Sequence, residues 1–164
     1  MKFSGKVHNL NDLKHLVQII TPLLQPNFYL ILQGKLGVGK TTLVQLIAKK
    51  LGISEKITSP TFSICHRYRI KNNYYLNHFD FFRLNEQENL DFLQELTIDN
   101  LNIIEWGEKN TQFYQGRKFL HINLIKESNS ETRIVIMNIP FTFPFSQQKK
   151  ILNFFSEKHI PNIA

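Results

Sequence analysis

The sequence predicts an α/β protein of the phosphate-loop type: a mostly parallel sheet flanked by helices, with antiparallel hairpin additions. Three observations carry this. Short apolar runs alternate with stretches of helical period along the chain. One such run, Phe28 to Leu32, leads into Gly34-Lys35-Leu36-Gly37-Val38-Gly39-Lys40-Thr41, and a helical stretch opens directly after it. Two later pairs of strand-like runs are each split by a short polar stretch, the pattern of hairpins.

In chain order, Asn11 and Asp12 are good helix caps ahead of Leu13, Leu16, Val17 and Ile20, apolar at i, i+3, i+4 and i+7. That helix stops near Pro22. Phe28 to Leu32 is a buried strand and Gly34 to Gly39 a glycine-rich loop. Thr41 to Leu51 is a helix with Leu43, Leu46, Ile47 and Leu51 facing inward, closed by Gly52. Thr58-Ser59-Pro60-Thr61 is a loop. Phe62 to Ile70 and Tyr74 to Phe81 form a hairpin around Lys71-Asn72-Asn73. Glu86 to Leu96 reads as a helix with acidic residues in its first turn, and Leu101 to Trp106 as a buried strand. Phe119 to Ile125 and Arg133 to Ile139 form a second hairpin turning at Ser128-Asn129-Ser130. Phe145 to Lys158 is a closing helix with Ile151, Leu152 and Phe155 on its apolar face.

No repeat, low-complexity tract or polar linker divides the 164 residues, so one domain over residues 1–164 is expected. Hydrophobic residues at 42% and charged residues at 20% argue against disorder. No apolar run approaches the ~18 residues needed to cross a membrane, and the start has no signal-peptide pattern. Cys65 is the only cysteine, which excludes an internal disulfide and a cysteine-based zinc cluster. A soluble cytoplasmic protein is expected. The net charge of +7 fits attraction to polyanions. A genome rich in A/T is the favoured source of this charge, because Phe, Ile, Asn and Lys share such codons, so the charge by itself points to no function.

The glycine-rich loop satisfies G-x-x-x-x-G-K-[ST] in its required strand-loop-helix setting. Backbone N–H groups must curl around phosphate oxygens, and glycine permits the necessary angles. The helix N-terminus adds unpaired donors and about half a positive charge. Lys40 would reach the β- and γ-phosphates, and the Thr41 hydroxyl would bind Mg²⁺. Such a loop works with a carboxylate at the end of a neighbouring buried strand. Glu105 and Asp80 both end candidate strands. The alternative for each is a strand-end charge in water, or an ion pair of Asp80 with Arg83.

Four blocks in this order resemble the bacterial ATPase family required for threonylcarbamoyladenosine formation in tRNA, the TsaE family. They are Gly34 to Thr42, Ser59-Pro60-Thr61-Phe62, His78-Phe79-Asp80-Phe81-Phe82-Arg83 and Glu105-Trp106. The match runs from about residue 10 to residue 107; the last third matches only as hairpin plus tail. The resemblance implies a small ATP hydrolase that binds ATP or ADP with Mg²⁺ and is slow alone. It implies two partners, a threonylcarbamoyl transferase and its inactive paralogue, with tRNA reached through that complex. By position, Gly37, Val38, Gly39, Lys40, Thr41 and Thr42 would line the phosphates, and Thr41 and Glu105 would hold Mg²⁺. Ser59 to Phe62 resembles a switch-like loop, Asp80 falls at an acidic position important for hydrolysis, and Trp106 at an aromatic position near the nucleotide or a partner. Lys35 stands where members often carry an acid. Ser130 stands where some place an Arg toward the adenine, with Arg133 three residues on.

The catalytic pair expected from this reading is Lys40 and Asp80, with Asp80 positioning the attacking water. The competing role for Asp80 is shaping the loop through Arg83. A small P-loop kinase for a metabolite or nucleoside is the alternative function. Against it, Arg67, Arg69, Arg83, Arg117 and Arg133 form no cluster suited to a mobile lid. Cys65 and His78 are expected to be structural. Phe141, Phe143 and Phe145 either cover a core edge or dock a partner, and Lys149-Lys150 is a solvated helix face.

Overall fold

The structure, a computed structural model, describes residues 1–70, 74–85, 88–128, 130–139 and 143–157. The elements are β1 (Lys2–Val7), α1 (Leu10–Ile20), β2 (Phe28–Gln33), α2 (Lys40–Lys50), β3 (Cys65–Arg69), β4 (Tyr75–Asp80), α3 (Asp91–Thr97), β5 (Leu101–Glu105), β6 (Lys118–Lys126), β7 (Arg133–Asn138) and α4 (Phe145–Ser156). Short 3-10 turns cover Thr21–Leu23, Gly107–Lys109 and Thr111–Tyr114.

All seven strands join one sheet in the order β1-β7-β6-β2-β5-β4-β3. The four central strands, β6, β2, β5 and β4, run parallel. The antiparallel additions are β7 and β1 at one edge and β3 at the other. Strands covered on both faces read as continuous apolar runs, and β2 and β5 are buried almost throughout. Leu30, Leu32, Ile103, Ile122, Val135 and Met137 on one face pack with α1, α2 and α4. Tyr29, Ile31, Phe79, Phe81 and Ile104 on the other meet Leu90, Leu93, Phe113 and Tyr114. Each fully buried aliphatic side chain contributes about 1.5–3 kcal/mol.

Several boundaries differ from the sequence expectation. The N-terminal strand β1 was not foreseen; it buries Phe3, Gly5 and Val7 on alternate positions and pairs with β7. The cap of α1 is Asn9, whose side chain accepts from the N–H groups of Asn11 and Asp12, so those two lie inside the first turn. Helix α3 begins at Asp91, since residues 88–90 of the expected helix are not helical; Glu86 lies outside the described residues. In α4, Phe154 joins Ile151 and Phe155 inside, while Leu152 is exposed. The hairpin turn at 71–73, Asn129, Phe141 and Lys158 lie outside the described residues. Phe143 packs on Phe28 at the core edge, and Phe145 is exposed.

For the site, one register matters most. Asp80 and Glu105, the last residues of parallel neighbours β4 and β5, are paired side by side. Both strands end where α2 begins its first turn beside β2.

Candidate functional site

The loop between β2 and α2 closes on Gly39, at φ +113°, which is the N-cap of α2. Gly39 has no side chain to cap the helix, so the first-turn N–H groups of Lys40, Thr41 and Thr42 are left for another acceptor. Gly34 and Gly37 also have positive φ, at +139° and +73°. These angles allow the loop to turn its N–H groups inward.

A cavity of about 340 Å³ lies over this loop. Seven of the predicted residues line it: Gly37, Gly39, Lys40, Thr41, Thr42, Asp80 and Glu105. Val38 does not; it is buried and lines a neighbouring cavity of about 360 Å³ together with Val7, His8, Leu13, Leu124 and Arg133. Gly39 and Thr42 line both, so the two spaces meet across the loop.

Lys40, Asp80 and Glu105 are 4%, 3% and 3% exposed. Buried charges require partners, and each has them. The Lys40 ammonium donates to the Gly34 and Lys35 carbonyls at 2.8 and 3.1 Å and stands 4.1 Å from the centre of the Trp106 ring. Burial lowers its pKa, opposed by the charges of Glu105, Asp80 and Glu108. Burial raises the pKa of Glu108, opposed by its own backbone N–H and by Lys40 and Lys109.

Glu105 Oε1 accepts from the Thr41 hydroxyl at 2.7 Å and from His78 Nε2 at 2.9 Å. Asp80 Oδ2 accepts from Ser59 at 2.8 Å and Thr61 at 2.5 Å, and Oδ1 from the Phe82 N–H at 2.9 Å. Arg83 stacks over the Phe62 ring at 4.0 Å. It is the loop hydroxyls, rather than Arg83, that hold the Asp80 carboxylate.

Three features escaped the sequence reading. The bond from His78 to Glu105 links adjacent strands; its only local signal is that His78 lies two residues before Asp80 and so shares its strand face. The segment Val7 to Leu13 reaches the loop, which no local pattern announces. Arg133 donates to the Val38 carbonyl at 3.2 Å and to Glu131 at 3.2 Å, so its guanidinium lies against the loop although it is three residues past the expected position.

Among the described residues no cluster of three or more His, Cys, Asp or Glu side chains could cage a metal. A hydroxyl beside one carboxylate suits a hard cation that also takes phosphate oxygens. Thr41 donates its hydrogen to Glu105, which leaves its lone pairs for such a cation. Cys65 is partly buried beside the second core face, and burial pushes its thiol up to about 12, which makes it a poor nucleophile.

The family model described as threonylcarbamoyl adenosine biosynthesis protein TsaE matches residues 7–135. A tRNA threonylcarbamoyladenosine biosynthesis protein TsaE of Nostoc sp. is 41% identical over 86 residues, covering 49% of this chain and 52% of that protein. The protein of the same description in Rickettsia felis is 34% identical over 105 residues, 62% and 61% of the two chains. That of Mycobacterium tuberculosis is 35% identical over 114 residues, 63% and 67%. The matched stretch thus spans between half and two thirds of these relatives' lengths. The crystal structure of Bacillus subtilis YdiB superposes with a TM-score of 0.69 at 19% identity over 97% of both chains, a likeness of fold.

Proposed function

The chain belongs to the TsaE family, and we propose that it serves threonylcarbamoyladenosine formation in tRNA as a Mg²⁺-dependent ATP hydrolase. The observation that carries this reading is the convergence of Lys40, Thr41, Asp80 and Glu105 on one cavity over the phosphate loop.

The two joined cavities suit the two ends of a nucleotide. The 360 Å³ space, lined largely by Val7, Leu10, Leu13, Val38 and Leu124, takes the base and ribose. The 340 Å³ space, with the free N–H groups of α2, takes the phosphates. Charge then sets a condition. Lys40 faces two carboxylates, Asp80 and Glu105, so the phosphate cavity carries no net positive side-chain charge to offset a triphosphate. Thr41 and Glu105 would hold the Mg²⁺ that restores the balance and, when bound, neutralises charge on the β- and γ-phosphate oxygens.

The chain's own residues supply positioning. Lys40 leaves the Gly34 and Lys35 carbonyls for the β- and γ-phosphates. Asp80, fixed by Ser59, Thr61 and the Phe82 N–H, accepts a hydrogen bond from the attacking water and orients it. Catalytic roles therefore fall to Lys40 and Asp80; Gly37, Gly39, Lys40, Thr41 and Thr42 bind the phosphates, and Val38 contributes to the nucleoside side. The family reading adds a threonylcarbamoyl transferase and its inactive paralogue as partners, tRNA reached through them, and a cytoplasmic setting. No described helix is long and apolar enough to cross a membrane.

The test is phosphate release from Mg-ATP, alone and with the transferase pair, beside Lys40→Ala. Slow release that the pair stimulates, absent in Lys40→Ala, supports the proposal. Bound ATP without stimulated release, or transfer of the γ-phosphate to a small acceptor, refutes it.

A further inference from the structure

We propose that His78 is a positioning residue that fixes the metal-facing carboxylate of Glu105; this rests on the Mg-nucleotide reading above. His78 lies wholly buried on β4, on the strand face it shares with Leu76 and Asp80, toward the core beneath α2. Its register partner on β5 is Ile103, two residues before Glu105. An apolar side chain at this depth would complete the core, as Leu76 does one step below. An imidazole instead leaves Nδ1 buried with no hydrogen-bond partner. The group it gains for that is Glu105 Oε1, at 2.9 Å from Nε2.

The bond has one direction. A carboxylate only accepts, so Nε2 is the donor. Glu105 Oε1 then takes two donors, His78 from below and the Thr41 hydroxyl from the loop. Both are bound to the same oxygen, and Oε2 has no hydrogen-bond donor among the described residues. The carboxylate is therefore pinned by one oxygen and presents the other to the cavity. The Thr41 hydroxyl is oriented by the same contact, so His78 fixes both cation-facing oxygens through one atom. Groups that orient a metal-binding carboxylate typically change metal affinity about 10- to 100-fold when removed.

The test uses the full chain with ADP and Mn²⁺, reading bound Mn²⁺ by electron paramagnetic resonance. Variants are His78→Leu, His78→Asn, too short to reach Glu105, and His78→Gln, which places an N–H donor near Nε2. ADP affinity in EDTA and thermal melting are measured alongside. The proposal expects Mn²⁺ affinity to fall about tenfold or more in His78→Leu and His78→Asn, with ADP affinity in EDTA within about twofold, and His78→Gln to recover most of the loss. Should His78→Leu not fold, the contrast of Asn with Gln carries the same decision. Unchanged Mn²⁺ affinity in the Asn variant, or a Gln variant as weak as Asn, overturns the role of His78. Wild-type protein that holds no Mn²⁺ with nucleotide overturns the Mg-nucleotide reading and the inference together.

Discussion

Gly34→Ala separates what the phosphate loop needs in order to fold from what it needs in order to bind. Gly34 has φ +139°, a region open almost only to glycine, where another residue costs roughly 1–3 kcal/mol. A Cβ there would also overlap the Leu124 carbonyl oxygen on β6 and stand 2.9 Å from Val38 Cγ1. The nearest obstacle is backbone, which cannot rotate away, so overpacking adds about 1–3 kcal/mol. The sum is about 4 kcal/mol. At roughly 2–4 °C per kcal/mol for a chain of this size, the melting temperature should fall by about 10 °C. Gly37→Ala is the matched control: its φ is +73°, and a Cβ would meet nothing within 4 Å. It should cost only about 1 kcal/mol in the fold. Because that open space belongs to the phosphate cavity, Gly37→Ala should instead weaken ATP binding by about tenfold, near 1.4 kcal/mol. Circular-dichroism melts and ATP titration check both. A Gly34→Ala protein melting within about 3 °C of wild type, or a Gly37→Ala protein melting as low as Gly34→Ala, would refute the reasoning.

Three further outcomes are expected. Asp80→Asn keeps an acceptor for the Phe82 N–H, so it should fold and bind ATP within about threefold of wild type, yet lose roughly 10²-fold in single-turnover hydrolysis; an unchanged rate removes Asp80 from the chemistry. The Cys65 thiol titrates near 9.0 unfolded and about 12 folded, so its stabilising share is whole below pH 9 and drains as pH rises toward 12, at most about 1.4 kcal/mol per pH unit. Denaturant titrations of wild type and Cys65→Ala from pH 8 to 11 should therefore converge as pH rises, and parallel curves would contradict this. Burial lowers the pKa of His121 below 6.5, and Nδ1 accepts from Asn138, so the chain should lose stability as pH falls below 6.5; His121→Gln should blunt that loss, and an equal loss in the variant would contradict it.

The phosphate loop was legible because its chemistry restricts residue type at fixed spacing, and a strand and a helix flank it in sequence. Asp80 and Glu105 were legible as strand ends, but their pairing was not. It follows from the parallel register of β4 on β5, across a separation of 25 positions that no local pattern spans. β1 was missed for a related reason. It is an edge strand of alternating apolar and polar residues whose partner, β7, lies about 130 positions away. The α1 cap was misplaced because Asn9, Asn11 and Asp12 are all competent caps, and the position of β1 just before the helix decides among them. The α4 error was readable: Ile151, Phe154 and Phe155 keep the i, i+3, i+4 period, whereas Leu152 sits off that stripe.

The arginines argue for a site that is slow alone. Arg67 donates to Asn77 and lies over Tyr75, and Arg133 is tied to Val38 and Glu131. Arg83 is spent on the Phe62 ring. None of the residues lining the phosphate cavity is an arginine, and Lys40 is the one cation among them. An arginine placed on the transferring phosphoryl group is worth about 10³–10⁵ in rate. On the proposed reading, hydrolysis by the isolated chain forgoes most of that factor. The rim of the same cavity carries Leu36 at 77% exposed and Phe82 at 38%, with Phe62 at 84% under Arg83. Large apolar groups left in water beside a polar cleft are better placed to meet a protein than a small acceptor. A partner seated there would exclude water and could either insert a cation of its own or release Arg83 from Phe62. The two routes separate cleanly: Arg83→Ala leaves partner-stimulated hydrolysis intact if the cation comes from the partner, and abolishes the stimulation if Arg83 supplies it.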